Sequence, residues 1–234
     1  MKIKLSQLKN IIREEVGRSL FRESLEDIRT SDVAAIMLNT GTSRTAVVYN
    51  VEAMITALGR RMLDDTFKVV GVVQISEPKG APCRGAWMIR AITGPGKIMY
   101  GLAYAMSPTG LIVPDRSSVS PTAAAAWRGY STKASPENVL PLDDASMHTP
   151  SGKSKGPHPN HTPDPMDDCF TSHDEEFLNA AYRGPGGEKA LLDRLTNNHE
   201  RAMKLVNASD DKREKIESAL VDAGYVAFDV AMGF

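Results

Sequence analysis

Gly94-Pro95-Gly96-Lys97 is the stretch whose residue types and spacing could do chemistry. Glycine placed after an apolar run and before a helical pattern lets backbone N–H groups turn outward at a helix N-terminus. That makes a ready site for a phosphate or pyrophosphate, and Lys97 adds a positive charge beside it. The same loop could be a plain strand-to-helix turn, because short glycine motifs recur without function. Asp115, Arg116, Ser117 and Ser118 follow a second apolar run, at the end of a predicted core strand, where open α/β sheets bind ligands. They could contact a substrate; Asp115 and Arg116 could equally pair with each other or with neighbours.

Two other groups have metal-binding residue types. His158, His161, Cys169 and His173 could ligate zinc by type. Their H-x2-H-x7-C-x3-H spacing matches no compact site, and a polar loop bearing histidines accounts for it. Asp143-Asp144 and Asp167-Asp168 could hold a hard cation, or be solvated acidic turns, which is the expectation here. No metal is expected, and there is no local signature of Ser-His-Asp catalysis.

The elements that must position these residues follow from periodicity. Residues 2–28 read as an amphipathic helix, with Ile3, Leu5, Leu8, Ile11, Ile12, Val16, Leu20 and Leu25 at helical spacing. It could dock a partner or a second copy, or pack on its own domain. Ser31 or Asp32 could cap a short helix, Asn39 to Gly41 reads as a turn, and TAVVYN reads as a strand. A helical pattern covers 51–63. FKVVGVVQI at 67–75 is continuous enough for a strand buried on both faces, and GAWMIRAI at 85–92 is its hairpin partner across a Pro/Gly loop. After the glycine loop, Lys97 to Met106 is helical and Leu111 to Pro114 is a short strand. Ser120 caps the next helix, with Pro121 at its first position and Gly129 near its end.

From about 134 to 173, Pro, Gly, Ser, Asn and His dominate, a composition that cannot bury enough apolar surface to fold alone. Helical patterns return over 174–183 and 188–206, and Asp210-Asp211 opens a last helix with acids first. The tail YVAFDVAMGF could be a final strand or a buried end. The expected organisation is an N-terminal helix (1–30), a mixed α/β core (31–133), an irregular polar arm (134–173) and a helical C-terminal region (174–234).

The order of pieces in 67–130 resembles the Gcn5-related N-acetyltransferase superfamily. That core has a long hairpin, a strand that splays from the next, a pyrophosphate loop and helix, another strand and another helix. The family's loop pattern is Q/R-x-x-G-x-G/A; Ala91 to Gly96 keeps both glycines and replaces the Gln/Arg by Ala91. Its later helix often reads N-x-x-A-x-x-x-Y; here Ser120 to Trp127 keeps Ala123 and puts Trp at the Tyr position. The resemblance covers about 65 of 234 residues.

The resemblance implies a GNAT-like mixed sheet with flanking helices, and acetyl-CoA lying in the splay between 87–92 and 111–114. Backbone groups of Ile89, Arg90 and Ala91 would bind the pantetheine arm. N–H groups from Gly94 to Met99, with Gly96, Lys97 and Ile98 among them, would bind the pyrophosphate. Glu77 would be the base and Tyr130 the acid, since the Trp127 indole cannot donate a proton to a thiolate. Asp115, Arg116 and Ser118 would face the substrate amine. The wording PDRSSVSPTAAAAW followed by PLDD also resembles acetyltransferase-like proteins of tailed bacteriophages. That implies a phage particle or the cytoplasm of a bacterial host. The alternative function is a non-enzymatic virion or assembly protein that reuses the fold, with other virion proteins as partners through the N-terminal helix and polar arm.

Bulk composition sets the bounds. With 41% apolar and 24% charged residues the chain has ordinary globular content, and a net charge of -1 gives no strong nucleic-acid signal. No apolar stretch reaches the roughly 20 residues of a membrane helix. Cys83 and Cys169 are too few to suggest a disulfide scaffold, and a reducing compartment is expected.

Overall fold

The computed structural model describes residues 32–60, 69–78, 81–114, 119–143, 163–169 and 176–232, with backbone only at 176 and 227–232. The 2–28 helix, Asp115, Arg116, Ser118, His158, His161 and His173 lie outside the described residues. The fold is mixed α/β. A seven-stranded sheet runs in the order β1-β2-β3-β4-β5-β7-β6. Its strands are β1 (Val33–Asn39), β2 (Ser43–Asn50), β3 (Val69–Ser76), β4 (Trp87–Thr93), β5 (Leu111–Val113), β6 (Val139–Pro141) and β7 (Ala180–Arg183). Every neighbouring pair is antiparallel except β4 and β5. Among the described residues five α-helices surround it: α1 (Val51–Gly59), α2 (Gly96–Met106), α3 (Pro121–Lys133), α4 (Glu188–Leu205) and α5 (Asp210–Met232). No helix of the described residues is long and apolar enough to cross a membrane.

Strand alternation sorts the core. Val33, Ala35, Ala46, Val48, Val73, Ile75, Trp87, Ile89, Ile112 and Tyr182 face α2, α3 and the first half of α4. Ala34, Ile36 and Tyr49 face the other way, onto α1, the end of α4 and α5. Beneath β4, β5 and β7 on that second side lie Met88, Leu111, Val113 and Ala181, covered by loops rather than a helix.

Several expectations are corrected. The short helix after Asp32 is strand β1, because VAAIML is apolar on both faces and pairs with β2 across the Asn39–Gly41 turn. Residues 180–183 are strand β7 rather than helix, since Ala181 and Tyr182 are buried on opposite faces of the sheet. The tail, expected as a final strand or a buried end, is helical: α5 runs on to Met232. The sheet takes β6 and β7 from beyond residue 133. Cys83 and Cys169, which could pair only if they met in space and did not suggest a disulfide scaffold, do meet and form a disulfide. They meet because the 81–86 loop and residues 163–169 pack together under β4 and β5.

Candidate functional site

β4 and β5 meet in only two rungs among the described residues, Trp87↔Ile112 and Met88↔Val113. Just beyond them the β3–β4 ladder shifts register. Ile75 pairs with Ile89 and Gln74 with Ala91, so Arg90 is an extra residue, a β-bulge. A bulge bends and twists its strand, and bulges concentrate beside functional sites. The described β4–β5 pairing ends at Met88↔Val113 because β5 itself ends at Val113. Arg90 turns its Nε to donate to Ser76 Oγ at 2.7 Å, on the side away from the helices. Ile89 and Ala91 are buried.

β4 leads into the glycine loop and α2. Pro95 caps α2 with no side-chain hydrogen bond. The N–H groups of Ile98 and Met99 both donate to the Pro95 carbonyl at 3.0 Å. The uncommitted donors of the first turn are thus those of Gly96 and Lys97. Gly94 and Lys97 are exposed, Gly96 is buried, and the Ile98 and Met99 side chains belong to the core. Gly94 has φ +97, and a Cβ there would meet Val70 O at 2.5 Å and Gly71 Cα at 2.7 Å. The loop is glycine at 94 because two backbones touch, with no need of a ligand to explain it.

Of the two acid–base candidates, Glu77 sits far from that loop. Glu77 is exposed, just past the end of β3, with its N–H donating to Thr42 O at 2.9 Å. Gly94 abuts Gly71 at the start of β3, so six extended residues, about 20 Å, separate Glu77 from the loop. Tyr130 is half-buried in an aromatic cluster. Its ring lies 6.2 Å from Trp127 and from Tyr104, and 6.3 Å from Tyr182. Tyr100 and Trp127 meet edge-on at 5.3 Å, which joins α2 to α3. The Tyr104 hydroxyl is enclosed without a well-formed hydrogen bond, and it couples to the Tyr130 hydroxyl. Burial pushes the Tyr104 and Tyr130 phenols up, and Tyr100 to about 12, so all three stay protonated at neutral pH and could serve as acids but not as bases.

Two polar clusters lie elsewhere in the fold, the first built from aspartates expected in solvated turns. Asp143, Asp167 and Asp168 bring carboxylate oxygens within 4.8 Å of one another, and Asp143 and Asp167 are buried rather than solvated. Arg84 binds Asp167 at 2.9 Å and Asp164 at 3.3 Å. Cys169, once a zinc candidate by type, is committed to the disulfide.

The second cluster joins β2 to α4 and α5. Tyr49 Oη lies 2.8 Å from His199 Nδ1, and His199 Nε2 lies 2.9 Å from Glu217 Oε1. Arg213 donates to Glu217 at 2.7 Å and grips Glu200 with both terminal nitrogens. Burial and then Glu217 push the Tyr49 hydroxyl up, so it stays protonated and donates to Nδ1, leaving Nε2–H for Glu217. Tyr49 and His199 are 150 residues apart, so no local pattern could have paired them.

Burial raises the Glu217 pKa, but hydrogen bonds from His199 and Arg213 outweigh it and hold the carboxyl below its usual value of 4.5. The Arg213 hydrogen bond does the same for Glu200. A depressed carboxylate stabilises the fold above its unfolded pKa and loses that contribution as pH falls through its folded value. Stability should therefore drop as pH falls below about 4.5. Glu217→Gln should cost about 1 kcal/mol at neutral pH and flatten that acid limb. Urea unfolding of both proteins between neutral pH and the acid limb checks it, and an unchanged limb would remove Glu217 from the account.

Compared with known protein families, curated proteins and solved structures, the chain finds no match.

Proposed function

We propose that the protein is acetyltransferase-like, binding coenzyme A or acetyl-CoA at the β4–β5 junction. The observation that carries this reading is a conjunction at one place. A single parallel pair of strands shares two rungs among the described residues, a bulge bends one of them just beyond, and that strand leads into a helix whose first turn offers N–H groups. Ligands of open α/β sheets bind outside the carboxyl ends of strands. Beyond its two described rungs with β5, β4 at 89–93 would offer amide groups to an extended arm, and Gly96, Lys97 and the helix dipole would seat its phosphates. The acceptor is an amine, with Glu77 as base and Tyr130 as acid. Glu77 lies about 20 Å from the loop, so the reacting end of the cofactor would have to extend away from its phosphates.

Calorimetric titration of acetyl-CoA tests this. Lys97→Glu is the informative variant because Lys97 is exposed and carries no packing, whereas Gly94 variants break a backbone contact. Micromolar binding by the parent, weakened about tenfold (about 1.4 kcal/mol) in Lys97→Glu, is the expected result. A parent protein that binds no acetyl-CoA would overturn the cofactor assignment.

A second reading has its own support. Disulfides persist on virion and cell surfaces and are rare in reducing cytoplasm, and this chain joins its only two cysteines. That favours a virion or assembly protein that reuses the fold, with homo-oligomers or other virion proteins as partners. Light scattering of the purified protein separates the two: a discrete large particle supports the assembly role, and a monomer or dimer that binds acetyl-CoA supports the enzyme.

A further inference from the structure

The disulfide closes a short strap over the back of the β4–β5 junction. Residues 163–169 cross beneath the sheet with their outer side, including Met166, exposed and with Asp167 and Cys169 turned inward. Four backbone bonds hold the strap to its surroundings. Cys83 N–H donates to Asp168 O at 2.9 Å, Arg84 N–H to Met166 O at 2.6 Å, Asp143 N–H to Asp167 O at 3.0 Å and Cys169 N–H to Asp143 O at 2.6 Å. What lies beneath is apolar: Met88, Leu111, Val113, Leu142 and Ala181, packed with the two cysteines. Met88 and Val113 are themselves one of the two rungs joining β4 to β5.

Two features load this closed arrangement. The first is backbone conformation. Cys83, Arg84 and Gly85 have φ of 46, 54 and 72 in succession, and the first two are residues with a Cβ in a region that only glycine enters without cost. The second is charge. Asp143, Asp167 and Asp168 crowd their carboxylates within 4.8 Å, and like charges at that range repel. Arg84 opposes this through Asp167 and Asp164, and it holds Pro141 O through Nε at 3.2 Å. It does so from the strained left-handed position. The covalent bond between Cys83 and Cys169 spans the same seam.

We propose that residues 163–169 form a redox-gated strap, locked over the junction when Cys83–Cys169 is oxidised and released when it is reduced, loosening the rungs between β4 and β5. In the reducing direction a dithiol supplies the electrons. Its thiolate attacks one cysteine sulfur, the Cys83–Cys169 bond breaks, and a mixed disulfide forms. The other cysteine leaves as a thiolate, and the second thiol of the reductant then attacks the reductant's own sulfur in the mixed disulfide, releasing the attacked cysteine and closing the reductant's disulfide. Two electrons pass to the protein and each cysteine gains a proton. A low-molecular-weight disulfide such as oxidised glutathione reverses the exchange. Cys83 is 0% and Cys169 2% exposed, so attack must follow local opening of the strap, and the oxidised state is slow to reduce.

Hydrogen exchange of the full chain tests this with no ligand involved, so it stands apart from the acetyl-CoA reading. Three samples are compared: oxidised protein, protein held in a dithiol reductant, and a Cys83→Ala, Cys169→Ala variant, which fixes the open covalent state whether or not the reductant reaches the buried sulfurs. Amides of 86–88, 111–113, Met166 and Cys169 should exchange about tenfold or more faster in the variant than the global fall in stability accounts for, while those of β1 and β2 lose only what that global fall removes. Reduced wild type should move toward the variant over time. Unchanged protection of the strap in the variant would overturn the proposal. So would a uniform loss across the whole sheet, which would make the disulfide a general staple and not a local gate.

Discussion

Replacing Cys83 and Cys169 together by alanine should lower the unfolding free energy by about 4 kcal/mol. The bond joins residues 86 apart in sequence, and a loop that long leaves much chain entropy in the unlinked unfolded state. Both side chains are buried among apolar neighbours, so alanine keeps the environment and removes mainly the link. For a chain of this size each kcal/mol moves the midpoint by about 3 °C, giving a fall near 12 °C. Calorimetry of the two proteins under oxidising conditions measures it. A loss below about 1 kcal/mol would mean that the unfolded chain is already held compact by other contacts.

Gly94→Ala should be nearly as damaging, at about 3 kcal/mol, although it adds one methyl group to an exposed loop. The residue sits at φ +97, where a Cβ is strained whatever space surrounds it. The new carbon would also press on Val70 O and Gly71 Cα, atoms of a strand that cannot move without shifting the sheet. Urea denaturation checks the magnitude. A variant as stable as the parent would show that the loop can lift away from β3. The start of α2 would then be adjustable, and the fixed placement of its free N–H groups lost.

The sequence was most informative where pattern and punctuation agreed. TAVVYN, VVGVVQI and WMIRAI are strands because their β-branched and apolar runs are bounded by turns, and Ser120-Pro121 starts α3 with the Ser120 hydroxyl accepting from the Ala123 amide. It misled where an apolar run suits either state. VAAIML has helical composition, and only its pairing across Asn39-Thr40-Gly41 makes it β1. AAYR needed the neighbouring β5 and β6 to become a strand. At the candidate site the glycine loop was legible and the bulge was not, since Arg90 differs from its neighbours only in having no partner across β3. Asp143, Asp167 and Asp168 were legible as carboxylates that could hold a cation, but not their convergence or burial, and the Tyr49–His199–Glu217 relay was invisible: the members of each come from distant segments that only the folded sheet brings together.

The extra residue in β4 also sets which changes of length the chain can absorb. Ile89 and Ile92 both face the helices although an odd number of positions separates them, and Arg90 is what reconciles their phases. Removing Arg90 alone would leave Ile89, Ala91 and Ile92 on their present faces, opposite their present partners on β3. What would go is the bend. Loss of one codon would thus straighten β4 while the pairing of its apolar residues survives, an outcome that no single substitution at these positions offers.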